Sequence, residues 1–234
     1  MTVRRTDDTP RTGREHRYPR GAEHRAAYRS GVSSNARFLR LVSGLVLCGV
    51  AVSLMVRARL GLGPWDVLHQ GIATHTGIAI GTVGILVGLA VLVLWIPMRE
   101  RPGIGTITNM VLIGVVIDLL LAVIEPPQAL AVRVLFLVAG VGVFGPGIAL
   151  YVGAALGAGP RDGLMTNLAR RGMSIRAART VVELGALVAG FALGGTVGLG
   201  TVLYAATIGP TTQFWMKRMP GHVILVPAPA TTER

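Results

Sequence analysis

Two motifs in this sequence place an aspartate shortly after a Gly-Pro pair, in Gly63-Pro64-Trp65-Asp66 and in Gly159-Pro160-Arg161-Asp162. Glycine permits a tight approach of the backbone, and proline suits the first turn of a helix. A carboxylate two positions later meets the positive end of the helix dipole. Each motif therefore predicts the start of a short helix. Two hypotheses stay open for each aspartate: it caps the helix, or it binds a solute or an ion together with its partner from the other motif.

Three further side chains are candidates for binding. His69 follows Asp66 on the same short helix, whereas Glu183 and Asp118 fall inside apolar segments, where an isolated carboxylate is costly and indicates function. Arg179 lies one turn before Glu183, so an ion pair and a ligand or proton role both remain open. Asp118 has no such helical partner and must face another helix, a cavity or the outer surface. The predicted substrate-binding residues are Asp66, Asp162, Gly63, Pro64, Gly159, Pro160, His69, Glu183 and Asp118.

Several classes of chemistry find no support in the sequence. There is one cysteine, Cys48, so a disulfide and a thiolate metal site are excluded. No nucleophile elbow and no His-Glu-x-x-His motif is present. We therefore predict no catalytic residue, no metal, no cofactor and no enzymatic activity. The net charge of +12 is not accompanied by a nucleic-acid-binding motif, so nucleic acid is not an expected partner.

The elements that carry these residues are long and apolar. The chain has 234 residues, of which 51% are hydrophobic and 15% charged, against about 25% charged in soluble domains. A helix that crosses the bilayer needs about 20 mostly apolar residues. This predicts an all-α polytopic integral membrane protein with about six transmembrane helices. The predicted spans are Phe38–Val56, Ile78–Ile96, Ile104–Ile124, Ala131–Val152, Ile175–Leu193 and Leu199–Met216.

An internal repeat organises these spans. The segment Leu60–Asp66 returns 96 positions later as Leu156–Asp162, and Gly103–Thr106 returns 95 positions later as Gly198–Thr201. Each half holds three spans, an odd number, so the second half is predicted to insert upside down relative to the first. Inverted repeats of this kind are typical of secondary transporters, whose sites lie where the halves meet. The Gly-x-Gly-Thr segments are either tight turns capped by threonine or an anion-binding backbone.

Charge predicts the orientation. With the N-terminus inside, twenty Lys and Arg residues fall on the cytoplasmic side and three outside; Arg161 is among those counted in a cytoplasmic loop. Both termini are therefore predicted to lie in the cytoplasm. The predicted divisions are a disordered basic tail (1–36), a first repeat (37–126), a second repeat (127–217) and a short C-terminal tail (218–234).

The segments GLGPWDVLHQG and RPGIGT in the first half, and GAGPRDGLMT and GLGT in the second, carry a family resemblance. Over roughly residues 38–216 the chain resembles the YczE-like family of bacterial membrane proteins, which is related to the YitT group. The resemblance implies a multi-spanning protein of the bacterial cytoplasmic (inner) membrane and leaves its biochemical activity open.

Together these features predict a transporter-like permease or binding protein for a small polar solute or ion. The alternative is a non-transporting scaffold or accessory protein that packs against partners through small-residue helix faces, such as Gly81-x-x-Gly84-x-x-x-Gly88 and Gly185-x-x-x-x-Gly190. The expected partners are the lipid bilayer, the solute or ion, and a second copy of the chain in a homo-oligomer.

Overall fold

A computed structural model describes residues 33–98 and 102–219, and every regular element within these two ranges is an α-helix. In chain order they are α1 (Ser34–Ala58), α2 (Pro64–Thr76), α3 (Ile80–Trp95), α4 (Ile104–Val123), α5 (Leu130–Gly153), α6 (Pro160–Arg170), α7 (Ile175–Ala192) and α8 (Leu199–Arg218).

The helices lie where the apolar segments and the capping residues predict them. Each of the six predicted spans overlaps one helix that starts within about one turn of the predicted residue, and α2 and α6 begin at the two motif prolines. Helix α1 begins at Ser34, so the last residues of the segment predicted as a tail are helical. The predicted tail up to residue 32 and the C-terminal segment from residue 220 lie outside the described residues.

Length and composition qualify fewer than six of the described helices as membrane spans. Helices α1, α4 and α5 are long and apolar enough to cross a bilayer, and α2 with α3 qualifies as a pair that is bent by 112°. Helix α3 alone has only 16 residues, and α7 carries Arg176, Arg179 and Glu183. The described part of the chain is therefore a helical membrane protein with three or four clear candidate spans.

The core lies where α1 crosses α5. Leu45 and Ala51 of α1 are fully buried there. Gly44 of α1 lies so close to α5 that a Cβ atom would stand 2.6 Å from the Tyr151 nitrogen, and Gly140 of α5 lies as close to the Ala51 carbonyl. Gly140 follows Gly44 by 96 positions, which is the offset of the repeat. The first helix of each half therefore contributes an equivalent glycine contact to the crossing.

Arginine side chains tie the two halves together in the same reciprocal way. Arg37 Nε donates to the Ala154 carbonyl at 3.0 Å, and Arg133 Nε donates to the Ala58 carbonyl at 2.8 Å. The last carbonyls of a helix have no partner within that helix. Each half therefore has, near its start, an arginine whose side chain donates hydrogen bonds to carbonyls at the end of the other half's first helix. The chain turns there with positive φ, 53° at Arg59 and 50° at Ala155.

The Gly-x-Gly-Thr segments start α4 and α8 and also contact the opposite half. The Gly105 N–H donates to the Leu156 carbonyl at 3.0 Å, and the Gly200 N–H donates to the Leu60 carbonyl at 2.7 Å. At the start of α4, Thr106 Oγ1 accepts from the Gly103 N–H at 3.1 Å. The equivalent bond at the start of α8 runs from the Gly198 N–H to Thr201 Oγ1 at 3.3 Å. These contacts agree with the interpretation of the segments as capped turns.

The halves differ in how their third helices pack. Helix α3 packs closely on α4, where Gly81 meets the backbone of Gly114. Helix α7 makes no comparable contact with α8 in the described structure. The positions in α7 that correspond to the packing glycines of α3 are Arg176, Arg179 and Glu183. Side chains of that size and charge prevent the close helix contact that glycine permits between α3 and α4 in the first half.

Candidate functional site

The two Gly-Pro-x-Asp motifs start helices α2 and α6, as predicted. Gly63 and Gly159 are the N-cap residues with extended backbone, and the prolines occupy the first helical turn. Asp66 and Asp162 both lie in the first turn of their helices, where the helix dipole stabilises a negative charge. The motifs thus position two carboxylates at two helix starts, and the environments of these carboxylates then diverge.

A cavity of about 90 Å³ adjoins the start of α2. Its walls come from helices α1 to α4 of the first half and from α5 and α6 of the second half. Glycine and aliphatic residues form most of the lining. The polar side chains that line it are Trp65, Asp66, His69, Asn109 and Arg161.

Asp66 provides the negative charge of this cavity. Its residue surface is 8% exposed, and His69 Nδ1 lies 3.7 Å from its Oδ1 atom. His69 itself lines the cavity, and its ring lies 6.5 Å from the ring of Trp65. The indole N–H of Trp65 is enclosed and has no hydrogen-bond partner among the described residues. The first turns of α2 therefore present a carboxylate, an imidazole and an indole to one space.

Arg161 provides the positive charge. It follows Trp65 by 96 positions, so the repeat places a tryptophan and an arginine at equivalent sites, and both line the cavity. Among the described residues, Arg161 makes no hydrogen bond and no ion pair. It lies within electrostatic range of Asp66 and Asp162, and of the buried Tyr151 and Tyr204 hydroxyls. Its side chain is half-buried because it faces the cavity.

The placement of Arg161 corrects its assignment to a cytoplasmic loop. A residue that lines an internal cavity is not a signal of topology, and the bias of Lys and Arg becomes nineteen against three. Sequence reasoning missed Arg161 as a site residue, together with Trp65 and Asn109. The signal that was available is the one position at which the two Gly-Pro-x-Asp motifs differ chemically, tryptophan in one and arginine in the other.

Asp162 has a different environment from Asp66. The Tyr151 hydroxyl donates to its Oδ2 atom at 3.2 Å, and Asp162 is not among the described residues that line the cavity. The neighbouring Pro160 carbonyl accepts from Trp95 Nε1 at 3.1 Å, which fixes the start of α6 against α3. The structure thus brings both aspartates near Arg161, but only Asp66 reaches the open space.

Asp118 and Glu183 have local partners. Asp118 Oδ1 accepts from the Gly81 N–H at 2.6 Å, and Oδ2 accepts from the N–H and the hydroxyl of Thr82 at 2.8 and 2.7 Å. It therefore faces another helix, one of the three environments left open for it. Glu183 accepts from Arg179 Nε at 2.9 Å, which is the ion pair that the helical spacing predicts. Neither carboxylate is among the described residues lining the cavity.

The described residues offer recognition chemistry rather than a set of metal ligands. Within residues 33–98 and 102–219, no three His, Cys, Asp or Glu side chains come together closely enough to hold a metal ion. The cavity instead combines the carboxylate of Asp66 with donor groups on Arg161 and Asn109. Such a lining can hold a small molecule that has both accepting and donating groups.

Comparisons with known proteins agree with the resemblance carried by the motifs. A model for a family of unknown function (DUF6198) matches residues 35–217. An uncharacterized protein of Haemophilus influenzae is 41% identical over 177 residues, which cover 75% of this chain and 81% of the relative. The uncharacterized membrane protein YczE of Bacillus subtilis is 35% identical over 176 residues, or 74% of this chain and 81% of YczE. The uncharacterized protein YyaS of the same organism is 25% identical over 188 residues, or 77% of this chain and 92% of YyaS. No solved structure matches the chain.

Proposed function

The chain belongs to the YczE-like family of unknown function (DUF6198), and from that premise we propose that it is a transporter-like permease or binding protein for a small polar solute or ion. One observation carries the proposal: Asp66 and Arg161, of opposite charge and from opposite halves, line the same internal cavity. Ionisable groups inside a membrane domain are costly and typically mark a pathway or a binding site.

The architecture we propose has six spans, formed by α1, α3, α4, α5, α7 and α8, in two inverted three-span repeats. The reciprocal contacts support this architecture. Each contact from the first half to the second is matched by a contact between the equivalent residues in the opposite direction, which is the pattern that a twofold axis produces. Helices α2 and α6, with 13 and 11 residues, are too short to cross a bilayer. In this architecture they enter the membrane partway from opposite faces.

The backbone around the two short helices also supports a solute site. The chain is non-helical at residues 59–63 and 154–159, and irregular backbone at membrane depth is tolerated where it is buried in protein or lines a cavity. In transporters, discontinuous helices of this kind direct their N-termini at substrate near the interface of the repeats. A scaffold has less physical need for two equivalent interruptions beside a cavity that holds two opposite charges.

Replacement of Asp66 tests the proposal. In reconstituted vesicles, screened for uptake and binding of ions, amino acids and small organic acids, Asp66→Asn should fold but bind the solute about tenfold more weakly or worse. The reason is that a hydrogen bond to a charged group contributes about 1.5–3 kcal/mol, and about 1.4 kcal/mol corresponds to a factor of ten in affinity.

Two other variants sharpen this test. Asp162→Asn removes the equivalent charge at a carboxylate that is bonded to Tyr151, so a smaller loss is expected. Glu125→Gln removes an exposed acidic charge between α4 and α5 and controls for net charge. Wild-type binding by Asp66→Asn would contradict the proposal, and a failure of every screened solute to bind would favour the scaffold alternative.

A further inference from the structure

We infer that the cavity is built for a small zwitterionic solute, in which a carboxylate contacts Arg161 and a nearby ammonium group contacts Asp66. This inference rests on the proposed function and goes beyond it by naming the chemical class of the solute. It draws on the two opposite charges in the lining, on the donors of Arg161 and on the size of the space.

The first step is the state of the Arg161 guanidinium. It carries five N–H donors in a planar fork that matches the two oxygens of a carboxylate. Among the described residues none of these donors has a hydrogen-bond partner, and no carboxylate lies within ion-pair distance. None of its nitrogens is among the fully enclosed atoms that lack a partner, and the side chain lines the cavity. Its donors therefore face open space that a ligand can fill.

The second step concerns the position equivalent to Arg161 in the other motif. Trp65 lines the same cavity, while its indole N–H is fully enclosed and has no hydrogen-bond partner among the described residues. The residue therefore contributes aromatic surface to the lining, and the donors open to a ligand are those of Arg161. Asn109, also in the lining, adds an amide. The repeat thus places an aromatic residue and a guanidinium at its two equivalent motif positions, and both residues line one cavity.

The third step excludes solutes that carry a single charge. Asp66 opposes a simple anion, and Arg161 opposes a simple cation, because both fixed charges line the same cavity. A zwitterion satisfies both charges at once and adds no net charge to the membrane interior. Since about 10–15 Å³ of such volume is enough to hold one water molecule, the cavity of about 90 Å³ accommodates a small solute of the size of several water molecules.

The experiment compares probes of similar size on the full-length chain in lipid nanodiscs. Glycine and L-alanine are the zwitterions, acetate is the anion and ethylammonium is the cation. Calorimetric titration should show both zwitterions binding at least tenfold more tightly than acetate or ethylammonium. Arg161→Gln and Arg161→Lys should each weaken glycine binding by at least tenfold, since lysine keeps the charge but lacks the planar fork. Asp66→Asn should weaken glycine binding but not acetate binding.

Arg171→Gln is the matched control, because it removes one positive charge at the exposed end of the same helix α6 and should bind glycine as the wild type does. If the Arg161 variants fail to fold, wild-type protein should instead gain thermal stability with glycine and not with acetate or ethylammonium. Ethylammonium that binds as tightly as glycine and survives Arg161→Gln would overturn this inference and leave the proposed function standing. Absence of binding by all four probes would overturn it as well, while the wider solute screen decides the proposed function separately.

Discussion

Asp118 lies in an apolar segment, yet its carboxylate is fully engaged by the start of a neighbouring helix. Both oxygens accept hydrogen bonds from the first turn of α3, from the N–H groups of Gly81 and Thr82 and from the Thr82 hydroxyl. The first N–H groups of a helix lack partners within the helix and attract negative charge. The charge of Asp118 is therefore balanced by the start of α3 and helps to fix α3 against α4.

We expect Asp118→Ala to lower the free energy of unfolding by about 1.5–3 kcal/mol, because the hydrogen bonds to a charged acceptor are lost and the first N–H groups of α3 are left without that acceptor. Asp118→Asn should recover part of the loss, since its amide oxygen still accepts. Thermal unfolding in detergent micelles measures both. Gln213→Ala, at the equivalent exposed position of the second half, is the control and should change little. Equal stability of Asp118→Ala and the wild type would mean that α3 does not depend on this carboxylate.

The sequence predicts the environment of such carboxylates better than their partners. Glu183 could be paired with Arg179 because the partner lies four positions away on one helix. The partners of Asp118 lie 36 and 37 positions away, and helical periodicity carries no information at that distance. For the same reason the sequence identifies the motif that contains Arg161 as a helix start, but it does not place the Arg161 side chain at the cavity.

At the scale of helices, glycine decides which pairs pack closely. A Cβ at Gly81 would lie 2.0 Å from the Gly114 carbonyl oxygen, whereas a Cβ at Gly185 of α7 would meet no atom within 4 Å. The predicted small-residue faces therefore differ in role: Gly81 serves internal packing of α3 on α4, and Gly185 lies on an open face. In the same stripe as Gly185, Gly190 approaches the backbone of Leu68 in α2.

This contrast predicts opposite outcomes for one type of substitution. Gly81→Ala should lower the free energy of unfolding by about 1–3 kcal/mol, because the added methyl group forces the backbones of α3 and α4 apart. Gly185→Ala should be neutral or stabilising by up to about 1 kcal/mol, since alanine favours a helix more than glycine does. Chemical or thermal unfolding of the two variants side by side measures the difference. Equal effects of the two substitutions on the free energy of unfolding would show that the close approach of α3 to α4 does not exclude a larger side chain at position 81.

Helix positions follow well from the sequence because local signals specify them. The motif prolines, the capping threonines and the lengths of the apolar runs each act within one turn or one helix. The separation of α7 from α8 does not follow from any one segment. The separation follows from comparing Arg176, Arg179 and Glu183 with the equivalent glycines of α3. Glycine permits close contact between helices, and the larger charged side chains do not.

At the scale of the whole chain, the proposed six-span topology predicts the side of the membrane on which each connection lies. Reporter fusions after Met98 and after Arg171 should report the cytoplasm, and fusions after Thr76 and after Gln128 should report the outside. The reason is that the Lys and Arg bias fixes the orientation and each span reverses the side. Phosphatase and fluorescent-protein reporters, each active on one side only, serve as mutual controls. A cytoplasmic signal at Gln128 would contradict both the six spans and the inversion.

The side chains of Arg37 and Arg133 each bond the end of the other half's first helix, and these two arginine clamps affect how the chain folds. Each clamp takes its donor from one half and its acceptors from the other, so neither first helix has a satisfied C-terminus until both halves are present. A polypeptide that ended near residue 126 would leave the carbonyls of residues 58 and 59 without the Arg133 donors that they have in the full chain. Its surface would be complementary to a second copy of itself, because one half offers both the clamp and its target. We therefore expect the two halves to fold as one unit, equivalent to a dimer whose subunits have been joined into a single chain.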